Sequence, residues 1–561
     1  MLSFVDHFSE EAIIAELCRA RVKLATKRHE AAFLHNIAHT APPPHQVSPP
    51  DWGTIPLDIF PPRRQWHRFR LKRRGTAQPL ELCFRALYAA VLTLRNQAPQ
   101  PAWAQKLQQT VTNIRQRVLS SRPLHFKPPT IVPLSKERGG HLYRPLATYT
   151  LEEKIIEGIT ARYLRTLLDG ALTQACLAFR CGKTRRPPPT THDALAEIVA
   201  MQARHAQTGL YVAECDIKGF FDCVGHRMAK EALQRLIADA RRREPALRVH
   251  SRAIEIFEAY LESYSFLASV RGVAQRTLRQ RDPQGTFKWP EEDLYQLYRS
   301  SALPSIGVPQ GGALSCLIAN AVLHQADKAI EALQNATYTP LLYLRYCDDM
   351  ILISPDRAVC TTAFLAYQRT LRSLRLPVHP AKAVPKYAKS FWDGKSNSPY
   401  HWSAASVRWI QFVGYQIRYD GMIRIRPKSL RKQLAAVTDA TDHLLSTLQR
   451  ANRQNCIRRT AREIQHRLRQ KLISMSVGRV VLGKHYRGPR PMSWAAGFRG
   501  LLGRLICRNH LKVLDRHRER QIQRIKRALS RMVLPAARPR KTATAAHKYY
   551  GRPFSYWAQF H

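Results

Sequence analysis

Acidic residues are scarce in this chain. Its 561 residues carry 40 Asp and Glu against 90 Lys and Arg, a formal net charge of +50. Such an imbalance points to a polyanionic partner, nucleic acid first and an anionic membrane surface second. Long apolar runs are missing too. None reaches the roughly 18 residues needed to cross a bilayer, so a membrane span is not expected. The first eight residues have no basic stretch followed by an apolar core, so no secretory leader is expected. The eleven cysteines form no CxxC pair. Cys176 and Cys181 lie close in sequence but lack a matching second pair, which argues against zinc and fits a reducing cytoplasm. No internal repeat or low-complexity tract is visible.

What is present suits a folded, multi-domain chain. Apolar residues make up 45%, and the length predicts two to four domains. Residues 8–37, 79–97 and 102–118 have helical spacing. Five prolines between Pro42 and Pro50 interrupt them, so residues 1–120 read as a helical extension with a Pro-rich linker. Residues 121–425 mix short β-runs (Ala213–Ile217, Leu341–Tyr346, Met350–Ser354, Trp409–Arg418) with helical segments at 152–168, 193–206, 226–241 and 312–334. That order is α+β rather than a strict βαβ alternation. Residues 242–300, rich in Arg and aromatics, read as a helical insertion. Residues 426–561 read as a basic helical region. From Lys428 onward 31 Lys and Arg face 5 Asp and Glu, a net charge of +26.

Three short motifs carry chemistry. In Tyr346-Cys347-Asp348-Asp349, two adjacent carboxylates sit between apolar strands. Two anions at a hairpin tip each raise the cost of ionising the other, and a bound cation relieves that cost. In Glu214-Cys215-Asp216-Ile217-Lys218-Gly219-Phe220-Phe221-Asp222, a strand ends on a carboxylate before a tight turn. Asp216 could join Asp348 and Asp349 around a pair of divalent ions. In Gly307-Val308-Pro309-Gln310-Gly311-Gly312, a glycine pair opening an apolar helix would let backbone approach a ligand closely.

In this order the motifs resemble the palm of reverse transcriptases, most nearly the bacterial group II intron-like lineage. The match spans about residues 120–430. The resemblance implies an α+β right-hand polymerase fold, with fingers, a palm built on an antiparallel sheet and a helical thumb. It implies an RNA-directed DNA polymerase with Asp216, Asp348 and Asp349 as catalytic residues and Asp216, Ile217, Asp348 and Asp349 at the metal. Asp216 and Asp348 would hold the ion directly, with Asp349 supporting at the edge. The ion would be Mg²⁺, with Mn²⁺ as a substitute. Pro133-Leu134-Ser135-Lys136 and Arg144-Pro145-Leu146 resemble the fingers hairpin, where Lys136 and Arg144 would grip the triphosphate. Phe221 takes the position of the steric gate against a ribose 2′-hydroxyl, with Phe220 pointing away on an extended backbone. Gln310 falls in the nucleotide loop. Lys382, in Leu376-Pro377-Val378-His379-Pro380-Ala381-Lys382, matches a lysine that acts on pyrophosphate. Phe412, Val413, Gly414 and Tyr415 resemble the primer grip. Cys347 departs from the commoner Ala, Met or Val, and is expected to alter template contacts.

The implied partners are an RNA template, a DNA product or RNA–DNA hybrid, and deoxynucleoside triphosphates; a protein partner or a second copy stays open. The basic C-terminal quarter would track phosphates. No paired-cysteine nuclease motif is visible. Val477-Gly478 and Val481-Leu482-Gly483 do not match the Val-Thr-Gly of retron enzymes. The nearest resemblance is therefore to defence-associated reverse transcriptases that copy a noncoding RNA. An intron-type maturase and a catalytically inactive RNA-binding protein are the alternatives. Tyr549, Tyr550 and Tyr556 offer hydroxyls that could prime DNA synthesis.

Overall fold

Apolar runs bounded by turn residues become strands, and capped periodic segments become helices. The computed structural model describes residues 3–38, 56–69, 79–137, 139–182, 188–384, 391–392, 394–457, 459–477 and 504–535, with positions 494, 497 and 501. The proline cluster and the aromatic tail with Tyr549, Tyr550 and Tyr556 lie outside these residues. The chain divides into two units. The first takes Met1–Arg21, Gly53–Phe69 and Ala86–Arg408; the second takes Val22–Trp52, Arg70–Arg85 and Trp409–His561. Among the described residues, no helix is long and apolar enough to cross a membrane.

The first unit holds two sheets. Strands β1 (Thr130–Ser135), β2 (Leu142–Thr148), β3 (Leu210–Cys215), β4 (Thr286–Phe287), β5 (Leu342–Tyr346), β6 (Asp349–Ser354), β7 (Ala381–Lys382) and β8 (Ser396–Trp402) follow in chain order. One sheet runs β1-β2-β4 and the other β5-β6-β3-β8-β7. In the larger sheet only the β7–β8 pair is parallel. Strand β6 is buried from Met350 to Ser354, which explains its unbroken apolar run. The Arg357–Ser373 helix packs on β3, β6 and β8, and the Ala313–Ala336 helix packs against it. Helix starts follow local chemistry: Thr150 and Thr190 form capping boxes with Glu153 and Asp193.

Residues 242–300 are mostly helical and also contribute β4. Thr286 and Phe287 pair in parallel with Leu142 and Tyr143 of β2. Two residues are too short for a periodicity signal; pairing with β2 selects the extended form.

The second unit carries β9 (Trp409–Phe412), β10 (Tyr415–Arg418) and β11 (Ile423–Ile425), ordered β11-β10-β9. The apolar run expected as one strand over 409–418 is thus a hairpin folded at Val413-Gly414. Helices Pro427–Arg453, Ala461–Val477 and Asn509–Leu529 bury a shared core of Val437, Leu444, Leu448, Ile464, Leu468, Ile522 and Ile525. Those positions recur at helical spacing, which leaves most of the arginines outside, though Arg518 is buried.

Candidate active site

The hairpin β5–β6 pairs Tyr346 with Asp349, so Cys347-Asp348 is a two-residue loop. Cys347 has φ +60° and Asp348 does not share the left-handed region, the sign pattern of a type II′ turn. Glycine is the usual residue at the first position; a cysteine there is strained. Cys347 is half-buried, and burial first, then the neighbouring Asp348 charge, push its thiol above the ordinary value. Asp348 is half-buried and Asp349 exposed. Burial first, then the nearby Asp216 charge, push the Asp348 carboxyl above its ordinary value, while the hydrogen bonds and Arg144 oppose the shift.

Asp216 follows the last residue of β3. Cys215 pairs with Met350, so the same register places Asp216 beside the β6 end of the Asp348-Asp349 turn. The Asp216 amide donates to Ser396 Oγ at 2.9 Å, and its carbonyl accepts from the His379 amide at 3.0 Å. Its carboxylate accepts from Lys395 Nζ at 2.9 Å, with His379 Nε2 3.8 Å away. The Ile217 side chain is buried, which leaves only its backbone to face a ligand. Among the described residues, no three of His, Cys, Asp and Glu close into a metal-ligand cluster. The donor chemistry nevertheless fits a hard divalent cation. Two carboxylates stand at adjacent strand ends, and one already draws the Lys395 ammonium.

The glycine loop is stitched to the first motif. Val308 N donates to Phe221 O at 2.7 Å and Gly307 N to Val224 O at 2.9 Å. On its other side, Ala147 N of β2 donates to Gln310 O at 3.0 Å. Gly311 has φ +104°, and a Cβ there would meet Leu146. A Cβ on Gly312 would collide with the Tyr260 hydroxyl and the Glu157 carboxylate. The close approach expected toward a ligand is therefore, at these glycines, an approach to protein. Glu157 is buried and accepts from Ala313 N at the start of the following helix; burial pushes its carboxyl up to about 7.

Phe220–Cys223 is a helical turn after left-handed Gly219, not the extended backbone expected. The two rings still part company. Phe220 is buried and Phe221 half-exposed, with ring centroids 5.2 Å apart in an edge contact. The next residue, Asp222, is buried and accepts from Gln310 Nε2 at 2.8 Å. Burial pushes its carboxyl up to about 7, against the Gln310 bond and the charges of Lys136 and Arg144. Lys136 and Arg144 are exposed at the β1–β2 hairpin. Crowding by protein, then Arg144, hold the Lys136 ammonium below its ordinary value. Two mutually repelling cations beside a pair of carboxylates form a site suited to a metal-bound polyphosphate.

Two further sets of expected residues complete the site predicted from the sequence. Lys382 sits on the exposed edge strand β7, its carbonyl accepting from Ser398 Oγ. Phe412, Val413, Gly414 and Tyr415 belong to the second unit. There Val413 (φ +42°) and Gly414 (φ +89°) make a left-handed pair, the type I′ hairpin signature. Phe412 is buried, and burial pushes the Tyr415 phenol up to about 12. Sequence reasoning missed Lys395, which belongs to no motif. It gave no role to Asp222 or Arg345, because burial of a charged group is not legible from its neighbours in the chain.

The family described as reverse transcriptase (RNA-dependent DNA polymerase) matches residues 135–417. The chain belongs to the reverse transcriptase family. It is an RNA-directed DNA polymerase, and its mixed sheets and helices are those of the α+β right-hand polymerase fold. Among curated proteins, none matches the chain. Solved structures that align with it include telomerase from Candida albicans in complex with a fragment of telomeric RNA, at 11% identity and TM-score 0.33, covering 81% of this chain and 73% of that one. Apo telomerase from Candida tropicalis aligns at 12% identity and TM-score 0.34, covering 92% and 93%. At such scores the likeness carries no weight for function.

Proposed function

We propose that this reverse transcriptase adds deoxynucleotides to a primer at the site built by Asp216, Ile217, Asp348 and Asp349. The observation that carries the reading is the meeting of Asp216 and Asp348 at neighbouring strand ends beside Lys136 and Arg144. Asp216, Asp348 and the Ile217 carbonyl would hold divalent cations, Mg²⁺ with Mn²⁺ as substitute, and Asp349 would support them from the exposed edge. When bound, such ions activate the attacking hydroxyl and neutralise the departing pyrophosphate. Lys136 and Arg144 grip the triphosphate, and the half-exposed Phe221 closes the space of a ribose 2′-hydroxyl. Gln310, anchored by Asp222, borders the sugar, and Lys382 contributes charge toward pyrophosphate. Phe412 to Tyr415 seat the primer end. The basic helices of the second unit track the RNA–DNA hybrid by its phosphates.

The biological reading follows from the group II-like motif order joined to a basic helical C-terminal region: the enzyme copies a partner noncoding RNA in bacterial antiphage defence. Eleven free thiols support action in the reducing cytoplasm. Primer extension on an RNA template with Mg²⁺ tests the chemistry. Wild type extends, and the Asp348→Ala plus Asp349→Ala protein does not. Failure of both proteins would favour an RNA-binding role on this fold. Sequencing the RNA and DNA that co-purify with the protein tests the biology; intron RNA would instead identify a maturase.

A further inference from the structure

Beneath the Cys347-Asp348 turn lies a buried polar network with no part in the reading above. Arg345, on β5, is fully buried, as is Asp327 on the Ala313–Ala336 helix. All three guanidinium nitrogens donate. Nε donates to Asp327 Oδ1 at 2.7 Å and Nη2 to Asp327 Oδ2 at 2.6 Å. Nη1 donates to the Cys347 carbonyl at 2.9 Å and to Asn320 Oδ1 at 3.3 Å. Tyr343, two residues earlier on the same face, donates its hydroxyl to Asp327 Oδ1 at 2.7 Å.

A buried ion pair is a poor stabiliser, because desolvating two charges offsets their attraction. Packing alone would be served by an apolar pair. What this pair adds is a fixed donor aimed at the carbonyl of Cys347, the residue in the left-handed region (φ +60°). A non-glycine residue stays there only when its surroundings over-determine it. The helix bearing Asn320 and Asp327 starts directly after the Gly307–Gly312 loop. One rigid element thus meets both the nucleotide loop and the carboxylate turn.

We infer that Arg345, locked by Asp327 and Asn320, is a positioning residue that holds the Cys347 carbonyl and so sets how Asp348 presents its carboxylate to a divalent cation. This rests on the reading of Asp348 as a ligand. Two full-length variants separate positioning from folding. Arg345→Lys keeps a charge for Asp327 but loses the planar fork. Arg345→Met with Asp327→Leu replaces the pair with apolar bulk, an exchange that buried ion pairs tolerate. Free Mn²⁺ is followed by electron paramagnetic resonance, without template or nucleotide, beside thermal melting and primer extension.

Both variants should bind Mn²⁺ ~10–100-fold more weakly, the range for losing a residue that orients a metal ligand. kcat should fall while the deoxynucleotide KM stays within about twofold, since Lys136, Arg144 and Phe221 are untouched. The double variant should still melt cooperatively. Undiminished Mn²⁺ affinity in both variants, with weakened binding in an Asp348→Asn control, would overturn the positioning role alone. Wild-type Mn²⁺ binding by Asp348→Asn would overturn the ligand reading and the role together.

Discussion

Two hairpins, one in each unit, close with two-residue loops whose first residue is left-handed. In the β5–β6 hairpin the loop is Cys347-Asp348; in the β9–β10 hairpin it is Val413-Gly414. The first is pinned from below by Arg345, with Asp327 and Asn320 behind it. The second has glycine as its second residue, open space around that glycine and one backbone bond from Arg426 N to Gly414 O. A positive φ at the first loop residue is therefore upheld in one place by a buried ion pair and in the other by glycine and the ladder. The difference suits the roles proposed for each: a turn proposed to present carboxylates needs its carbonyls aimed, and one proposed to seat a primer end needs shape.

The largest expected effect separates the hairpins directly. Asp348→Asn should cut single-turnover extension by at least about 10²-fold, since even residues that only orient metal ligands reach that range. Phe412→Ala should raise the primer concentration required and leave the single-turnover rate at saturating primer nearly intact. Equal rate losses in the two variants would erase the distinction. Next, Phe221→Ala should narrow the preference for deoxynucleotides over ribonucleotides by roughly tenfold or more. Competitive incorporation measures it, and unchanged discrimination would remove Phe221 from the site.

Stability effects are smaller. Gly312→Ala drives a methyl into Tyr260 and Glu157 and should cost roughly 1–3 kcal/mol, read from denaturant unfolding. Val413→Gly should stabilise the second hairpin by about 1 kcal/mol by removing a β-branched side chain from the left-handed region. A lowered melting temperature would show instead that the valine side chain packs usefully. The smallest effect is on pH dependence. Burial holds the Asp222 carboxyl at about 7, above an unfolded value near 3.9. Between those values the folded chain binds more protons than the unfolded one, so this group's contribution to stability falls as pH rises and levels off above about 7. Asp222→Asn should flatten the decline of melting temperature from about pH 4 to 7; an identical slope would refute it.

Much of the architecture could be read in the chain. The helices at 151–168, 226–243 and 313–336 follow apolar spacing and capping residues that act over a few positions. Strand β6 follows an unbroken apolar run, and β3 and β5 follow runs broken once each, by Glu214 and Arg345. The helical turn at Phe220–Cys223 could not be read, because Val308 and Gly307 hold its carbonyls from a distant loop. Nor could the reason for Gly311 and Gly312, since Leu146, Tyr260 and Glu157 reach them from elsewhere in the fold.

Local order along the sequence determined the charge, the helices, the strand ends and the three aspartates that mark a polymerase, because each depends on near neighbours or on composition. Tertiary structure alone decided which cation rests on Asp216, why Asp222 holds Gln310 and what supports Cys347. Those contacts join residues distant along the chain inside a buried, low-dielectric interior. There, which charge meets which group depends on packing, and no spacing in the sequence encodes it.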